Sequence, residues 1–511
     1  MLDIDRPDLT LGAVGAGAMG RGIAQVAAAA GIPVRLYDAR SEAIEDARAF
    51  IRRMLDRAVE RGRMGADAAA AAVGRLNPAA RLDDLAGCHV VVEAVVEDLE
   101  IKRRLFHALE GIVGEEAVLA TNTSSLSVTR IAAACRRPER VAGFHFFNPV
   151  PLMRVVEVID GERTDPAVGG ALSALARRMG HRPVRAKDTP GFLVNHAGRG
   201  YGQEALRIVG EGVASHAEVD RVLREAAGFP MGPFELMDLT GLDVSHAVME
   251  SIYRQFYDEP RFRPAPETAR RVAAGLFGRK AGEGFYRYRE GKPQTPPEPP
   301  SPDERPAAVW IDDAEPEGRE RLAAFLGGLP ERVAVETAAA PSADALCLVT
   351  PLGADATTAA AGRGLDPRRT VAVDTLIGLE RRITCMATPV TEPRHRRAAR
   401  GLLGSGGVPV TPIADSPGFI VQRVLAMVVN IACDIAQQGI ATPADIDDAV
   451  RLGLGYPKGP LSWGDEIGSE RLLRVLERLQ ATTGDPRWRP SLWLRRRALL
   501  GVSLRIPDAA Q

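Results

Sequence analysis

His145 and Glu157 stand twelve residues apart in a chain that also carries Gly15-Ala-Gly17-Ala-Met-Gly20. An imidazole titrates near pH ~6.5 and exchanges protons readily at neutral pH. A carboxylate beside it holds one tautomer and steadies the imidazolium that forms. A Gly-x-Gly-x-x-Gly run between a strand and a helix seats the pyrophosphate of a dinucleotide. A base, an orienting acid and a dinucleotide seat are the parts needed to take a hydroxyl proton while the carbinol hydrogen leaves as hydride.

His145 lies in Val141-Ala-Gly-Phe-His-Phe-Phe-Asn-Pro149, and a strand-like apolar run (Leu152, Val155, Val156, Val158, Ile159) reaches Glu157. A histidine among Phe144, Phe146 and Phe147 is more commonly a packed core residue; the Glu partner and the upstream glycines reverse that weighting. Gly15 permits the tight turn, Gly17 lets the backbone approach the pyrophosphate, and Gly20 lets the helix pack on the sheet. Asp38 ends the next strand, eighteen residues past Gly20. A carboxylate there accepts the ribose hydroxyls of NAD and repels the 2′-phosphate of NADP, with Arg40 nearby to soften that preference. Ser124, in Asn122-Thr-Ser-Ser-Leu126, is a candidate hydroxyl donor to the reacting oxygen, and also fits a turn or helix cap. Asn195 is a candidate amide donor to the substrate; the plain alternative is a buried structural hydrogen bond.

These side chains need a scaffold. Leu11–Val14, Pro33–Tyr37, Val90–Glu93 and Val118–Ala120 read as buried strands alternating with helical stretches, one of them a long arm from Ser41 to about Val73. That alternation predicts a parallel sheet wound by helices on both faces. After Lys187-Asp-Thr-Pro-Gly191 the apolar spacing turns helical. Asp188-Thr-Pro-Gly-Phe-Leu-Val194 then recurs as Asp415-Ser-Pro-Gly-Phe-Ile-Val421, and Gly228-Phe-Pro-Met-Gly-Pro233 as Gly455-Tyr-Pro-Lys-Gly-Pro460, both at an offset of 227 that also relates Asp220 to Asp447 and Gly241 to Gly468. The expected architecture is an α/β Rossmann-type domain (1–186), an all-α domain (187–290), a Pro-rich linker (291–306), a reduced Rossmann-like domain without a ligand loop (307–411), and a second copy of the all-α domain (412–511). Gln422 takes the place of Asn195 in that copy, which is expected to be catalytically silent.

The bulk composition excludes more than it assigns. A formal net charge of -1 favours neither nucleic acid nor an anionic membrane. The basic clusters Arg394–Arg397 and Arg495–Arg497 read as solvated helix faces. The acidic N-terminus shows no secretory signal, and the longest apolar helical candidate, Val424–Cys433, is too short for a membrane span. Five scattered cysteines without a CxxC pair fit the cytoplasm and argue against a structural metal site.

The set of motifs resembles the L-3-hydroxyacyl-CoA dehydrogenase family: Gly15-x-Gly17-x-x-Gly20, Glu93-Ala-Val-Val-Glu97-Asp-Leu-Glu-Ile-Lys102, Asn122-Thr-Ser-Ser-Leu126, His145-Phe-Phe-Asn-Pro149, Asp188-Thr-Pro-Gly-Phe-Leu-Val-Asn195 and Gly278-Arg-Lys-Ala-Gly-Glu-Gly-Phe-Tyr286. The duplicated tail is similar to longer bacterial members associated with phenylacetate catabolism, which act on 3-hydroxyadipyl-CoA or 3-hydroxybutyryl-CoA. The resemblance implies NAD as cofactor and an acyl-CoA thioester as substrate. It places Glu97, Lys102, Asn122, Asn148 and Lys280 at the cofactor and Ser124 where cofactor and substrate both approach. It makes His145 and Glu157 the catalytic pair, with Asn195 assisting. It assigns the arm from Ser41 to Val73 to CoA, where Arg52, Arg53 and Arg57 are phosphate candidates and fit an exposed helix face at least as well. Many members have Arg after the Asn, where this chain has His196. Arg199, one turn past Asn195, is a candidate for the second carboxylate of an adipyl group. The repeated helical domain implies an internal pseudo-dimer, with homo-oligomers open. A non-catalytic NAD-binding protein of crystallin type is the rival reading.

Overall fold

The computed structural model describes residues 2–509. The chain forms two compact units, Met1–His196 with Gln438–Leu454, and Ala197–Gln437 with Gly455–Gln511.

In the first unit β1 (Leu11–Val14), β2 (Val34–Tyr37), β3 (Leu76–Pro78), β4 (Val90–Glu93), β5 (Val118–Thr121), β6 (Val141–Phe146), β7 (Val155–Asp160) and β8 (Arg182–Lys187) form one sheet in the order 3-2-1-4-5-6-7-8. β1 to β6 are parallel, and β7 pairs antiparallel to β6 and parallel to β8. The central strands read as apolar runs because both faces are covered. On one face lie α1 (Ala18–Ala29), α2 (Ser41–Glu60), α3 (Ala66–Gly74) and α6 (Pro166–Arg178); α4 (Leu99–Ile112) and α5 (Val128–Ala132) cover the other. The expected single helical arm is two helices. Gly62, at φ +65, takes the left-handed conformation that ends α2, and Gly65 caps α3. A short α7 (Val194–Ala197) follows β8.

The second unit holds α8 (Arg199–Gly210), α9 (His216–Glu225), α10 (Pro233–Thr240), α11 (Leu242–Gln255), α12 (Pro266–Ala273) and a small hairpin of β9 (Tyr288–Arg289) and β10 (Lys292–Pro293). A second sheet follows, from β11 (Ala308–Ile311), β12 (Ala334–Glu336), β13 (Leu346–Val349), β14 (Thr370–Val373), β15 (Ile383–Ala387) and β16 (Val410–Ile413), in the order 12-11-13-14-15-16, with α13 (Pro316–Gly327), α14 (Ala356–Arg363) and α15 (Pro393–Gly404). The second helical copy supplies α16 (Val421–Gln437), α17 (Pro443–Gly453), α18 (Pro460–Ile467), α19 (Ser469–Thr483) and α20 (Leu492–Leu500). Of these, α17 belongs to the first unit, where Arg182 on the edge strand β8 pairs with its Asp445 and Asp448, both at 2.9 Å.

The duplication runs further than the sequence motifs reach. Asp188 accepts the N–H groups of Val128 and Thr129 at the start of α5; Asp415 accepts those of Ala356 and Thr357 at the start of α14. The antiparallel turn of the first sheet, β6 to β7, recurs as β14 to β15. His145 lies opposite Glu157, and the same positions of the second sheet hold Asp374 and Thr384, joined by a 3.0 Å backbone bond. The offset is not constant. It falls to 226 in the last part of the helical copy, where the 3-10 turn at Pro260–Phe262 matches Pro486–Trp488.

The Pro-rich segment is pinned: Glu298 pairs with Arg382 at 2.7 Å and Arg221 at 3.3 Å. One basic cluster departs from a solvated face, since Arg497 is buried over the Trp493 ring at 3.2 Å. The two helical copies meet along α8 and α16. A Cβ on Gly200 would lie 3.0 Å from the Val428 nitrogen, so any side chain there would push the two helix backbones apart by a few tenths of an ångström. Arg423, which holds in the second copy the place of His196, donates two hydrogen bonds to the fully buried Glu204 at 2.8 and 2.6 Å. Arg423→Met is expected to destabilise the chain by roughly 3 kcal/mol, because it leaves a buried carboxylate with only the longer contacts of Arg487 at 3.3 Å and Arg207 at 3.5 Å; urea unfolding measures it, and Arg423→Met with Glu204→Met should recover part of the loss.

Candidate active site

Gly15 follows β1 at the point where the strand order reverses, which is where parallel sheets of this kind bind ligands. Its φ of +100 and the position of its missing side chain, 2.5 Å from the Ala94 carbonyl oxygen, both require glycine. A Cβ on Gly20 would fall 1.7 Å from the Gly15 oxygen, whereas one on Gly17 would meet nothing within 4 Å. Gly17 therefore faces open space at the N-terminus of α1, which no side chain caps. Asp38, at the end of β2, accepts the N–H of Ala16 at 2.8 Å and of Arg40 at 2.9 Å. This cradle fits a dinucleotide phosphate with a carboxylate beside the ribose.

The His–Glu pair is assembled by sheet register. The antiparallel pairing of β6 and β7 sets His145 opposite Glu157, and Nδ1 lies 2.6 Å from Oε2. Glu157 is fully buried, and its Oε1 accepts the N–H groups of Leu193 and Val194 at 2.9 and 2.8 Å. An ionised carboxylate only accepts, so Nδ1 donates and Nε2 is left to exchange a proton. The ring packs 4.5 Å from Phe147 and lines a cavity of 300 Å³ together with Glu97, Lys102, Asn122, Ser124 and Asn148. Asn122 accepts the Phe146 N–H at 2.8 Å and so fixes the end of β6.

Glu97 organises the Ser124 loop. Its Oε1 accepts from the Thr123 hydroxyl at 2.6 Å and from the N–H groups of Ser124 and Ser125 at 2.9 and 3.1 Å. Burial pushes its carboxyl pKa up, but the Thr123 hydroxyl, the Lys102 charge and the Ser124 N–H outweigh that, and the net shift is down. The stability it confers is therefore full above the ordinary carboxylate range and lost as pH falls through its depressed pKa. Lys102 is buried, 2.5 Å from Glu93 and 3.3 Å from Glu97. Glu93 is the residue that sequence reasoning passed over. It is fully buried, also accepts from the Thr121 hydroxyl and the Val95 N–H, and anchors Lys102 at the cavity wall. An acid ending the apolar run Val90-Val-Val-Glu93 was its signal.

Asn195 is half-buried on α7, next to the residue whose N–H holds Glu157. Lys280 belongs to the second unit, where it pairs with Asp243 at 2.7 Å. A cleft of 600 Å³ runs between α1, α2 and the residues after Asn148, with Phe50, Met54 and Leu152 among its apolar walls. Arg57 lines it, joined by Arg21, Arg61, Arg63, Arg154 and Arg178; Arg52 and Arg53 do not. Among the described residues there is no helix long and apolar enough to cross a membrane, and no His, Cys, Asp and Glu group suited to a metal.

A dinucleotide cradle at the switch point of a Rossmann-type sheet, with an imidazole braced by a buried acid in the same unit, defines an NAD-dependent dehydrogenase. Family models agree: residues 10–189 match the NAD binding domain of 3-hydroxyacyl-CoA dehydrogenase, and residues 191–288 and 418–505 match its C-terminal domain. The chain is 40% identical to 3-hydroxyadipyl-CoA dehydrogenase of Escherichia coli K12, over 96% of this chain and 98% of that one. It is 41% identical to 3-hydroxybutyryl-CoA dehydrogenase of Bradyrhizobium diazoefficiens, over 55% of this chain and 96% of that one. Among solved structures, a 3-hydroxybutyryl-CoA dehydrogenase from Escherichia coli K12 superposes with a TM-score of 0.83 at 38% identity, covering 97% of this chain and 99% of that one. The chain belongs to the 3-hydroxyacyl-CoA dehydrogenase family and uses NAD.

The glycines separate binding from folding. Gly17→Leu should leave the thermal unfolding curve near that of the parent and abolish NAD binding in a fluorescence titration. Gly20→Leu should lower the unfolding temperature itself, because its side chain meets backbone.

Proposed function

We propose that the chain interconverts (S)-3-hydroxyacyl-CoA and 3-oxoacyl-CoA with His145 as general base, and that its acyl group is 3-hydroxyadipyl or 3-hydroxybutyryl. The observation that carries the reading is the 2.6 Å contact between His145 Nδ1 and Glu157, whose other oxygen is held by two backbone N–H groups. Glu157 so fixed orients the imidazole and stabilises its charged form. Nε2 takes the substrate hydroxyl proton in oxidation and returns it in reduction. NAD, when bound, supplies the hydride acceptor. The Ser124 hydroxyl and the Asn195 amide donate to the substrate oxygen and hold the carbinol carbon in place. Gly15, Gly17, Gly20 and Asp38 hold the cofactor, with Glu97, Lys102, Asn122 and Asn148 also on it. The arginine-lined cleft suits the phosphates of CoA, with Arg57, Arg61 and Arg63 on the α2–α3 arm as the contacts. The crystallin-type alternative has no support, since the polar set is intact and the relatives are named dehydrogenases.

Three finer readings accompany this one. Arg199 receives the distal carboxylate of an adipyl group; it keeps part of its surface accessible, lies beside Tyr456, and burial pulls its guanidinium pKa down to about 10. The α8–α16 packing makes the chain its own pseudo-dimer, and light scattering that gave a stable homodimer through this face would contradict it. Five buried cysteines, none in a disulfide, fit a cytoplasmic location.

His145→Gln should lower kcat by roughly 10² to 10⁴ with NAD affinity retained, and Glu157→Gln should cost roughly 10² or more through the wrong tautomer. Steady-state assays on 3-hydroxybutyryl-CoA and 3-hydroxyadipyl-CoA, with NAD and NADP and with free 3-hydroxybutyrate as control, measure both. Unchanged turnover in His145→Gln sinks the assignment. Arg199→Ala should depress the adipyl thioester more than the butyryl one; equal loss removes that role.

A further inference from the structure

The second sheet has lost its glycine loop but not the geometry that loop served. β11 leads to the twelve-residue helix α13, whose N-terminus sits at the carboxyl ends of β13 and β14. Gly318 holds the third position of α13, as Gly20 does in α1. No side chain caps α13: Glu315, at the N-cap position, reaches away to Arg474 at 2.8 Å and Arg478 at 2.5 Å. The N–H groups of Glu317 and Gly318 have no carbonyl within the helix to serve them.

Two hydroxyls point at the same turn. Thr350 follows β13 and Thr375 lies just past β14; they are 2% and 1% exposed. Neither Oγ1 has a hydrogen-bond partner. Each lies close to where a Gly318 side chain would begin, at 2.5 and 2.8 Å, so both crowd the first turn of α13. They line a cavity of 140 Å³ with Glu315, Glu317, Arg471 and Arg474. Arg471 Nε is buried and makes no hydrogen bond, although Glu317 stands 3.3 Å away. A buried hydroxyl without a partner costs free energy unless something occupies the cavity beside it.

The charges decide what that is. Four guanidiniums (Arg321, Arg471, Arg474, Arg478) and three carboxylates (Glu315, Glu317, Asp374) meet at this end of the sheet, with Asp465, Glu466 and Glu470 in the neighbouring hollow that Glu317 and Arg471 also line. Glu315 is neutralised by two arginines, the Glu317 side chain is 70% exposed, and Asp374 gives Oδ1 to Gln422 and to the Leu376 N–H. Helix N–H groups, two hydroxyls and a guanidinium are the donor set of an oxyanion site.

We propose that the second nucleotide-type domain keeps an anion seat, formed by the Glu317 and Gly318 N–H groups, the Thr350 and Thr375 hydroxyls and Arg471, that takes a phosphate-sized tetrahedral oxyanion. The cavity holds such a group and not a nucleotide, so a nucleotide or CoA enters by its phosphate alone. This inference is independent of the reaction assigned to the first unit.

Calorimetric titration of the full chain tests it, with saturating NAD present to fill the first cradle. Inorganic phosphate is expected to bind with a component that Thr350→Val with Thr375→Val weakens by roughly tenfold or more for each hydroxyl removed. Arg471→Gln should weaken the same component, and sulfate should compete for it. Valine is close in shape to threonine, and unchanged NAD affinity and unfolding temperature without phosphate show that the variants fold. Adenosine 5′-monophosphate and CoA are titrated in parallel. If they show the same dependence on the threonines, the phosphate is a nucleotide's; if only phosphate and sulfate do, it is the free anion. Phosphate binding that is identical in the parent and both variants, or absent from the parent, overturns the proposal.

Discussion

The Glu157 carboxylate ties together three pieces of chain that the active centre needs in register. It sits fully buried on β7, gives one oxygen to the imidazole on β6, and gives the other to two N–H groups where α7 begins. A charge in that position is tolerable only because three donors meet its two oxygens. Removing any partner would leave a buried anion short of a donor, so the imidazole, the sheet turn and the helix start hold one another in place. α17, which packs on the same side of the first unit through Arg182, closes the edge strand behind this pair.

A second network of the same kind sets the cavity wall opposite. Glu93 and Lys102 are both buried, and Glu97 gathers the Thr123–Ser125 backbone around one oxygen. The loop that carries Ser124 is thus shaped by a carboxylate rather than by packing. Charge-assisted hydrogen bonds of this sort hold a loop more rigidly than neutral ones, which suits a site where a hydroxyl donor must be fixed before the substrate arrives.

The duplicated half shows what is left when those networks are dismantled. Where the first sheet has His145 opposite Glu157, the second has Asp374 opposite Thr384, and Gln422 turns inward to bond Asp374, the Pro351 carbonyl and the Gly353 N–H. An acid and a hydroxyl cannot form an oriented imidazole, so the copy keeps the fold and drops the proton chemistry. Its helices take up a structural task instead, with Arg423 neutralising Glu204 across the α8–α16 contact.

Local sequence was enough for the glycine cradle, because the tight turn after β1 and the close approach at Gly20 are steric demands of neighbouring residues. It was enough for the repeat of the helical domain, since Asp-x-Pro-Gly-Phe and Gly-x-Pro-x-Gly-Pro are short motifs read directly. It identified His145 and Glu157 as partners by type and spacing. It did not reveal the division of the arm at Gly62–Gly65, the register that sets Asp374 opposite Thr384, or the burial of Arg497 on Trp493. Those depend on backbone conformation, strand pairing and long-range contact, none of which has a local pattern. The choice of Glu93 as the anchor of Lys102, and of Arg57, Arg61 and Arg63 over Arg52 and Arg53 as cleft residues, was likewise made by the tertiary structure, because which way a charged side chain faces is set by what packs around it and not by its neighbours in the chain.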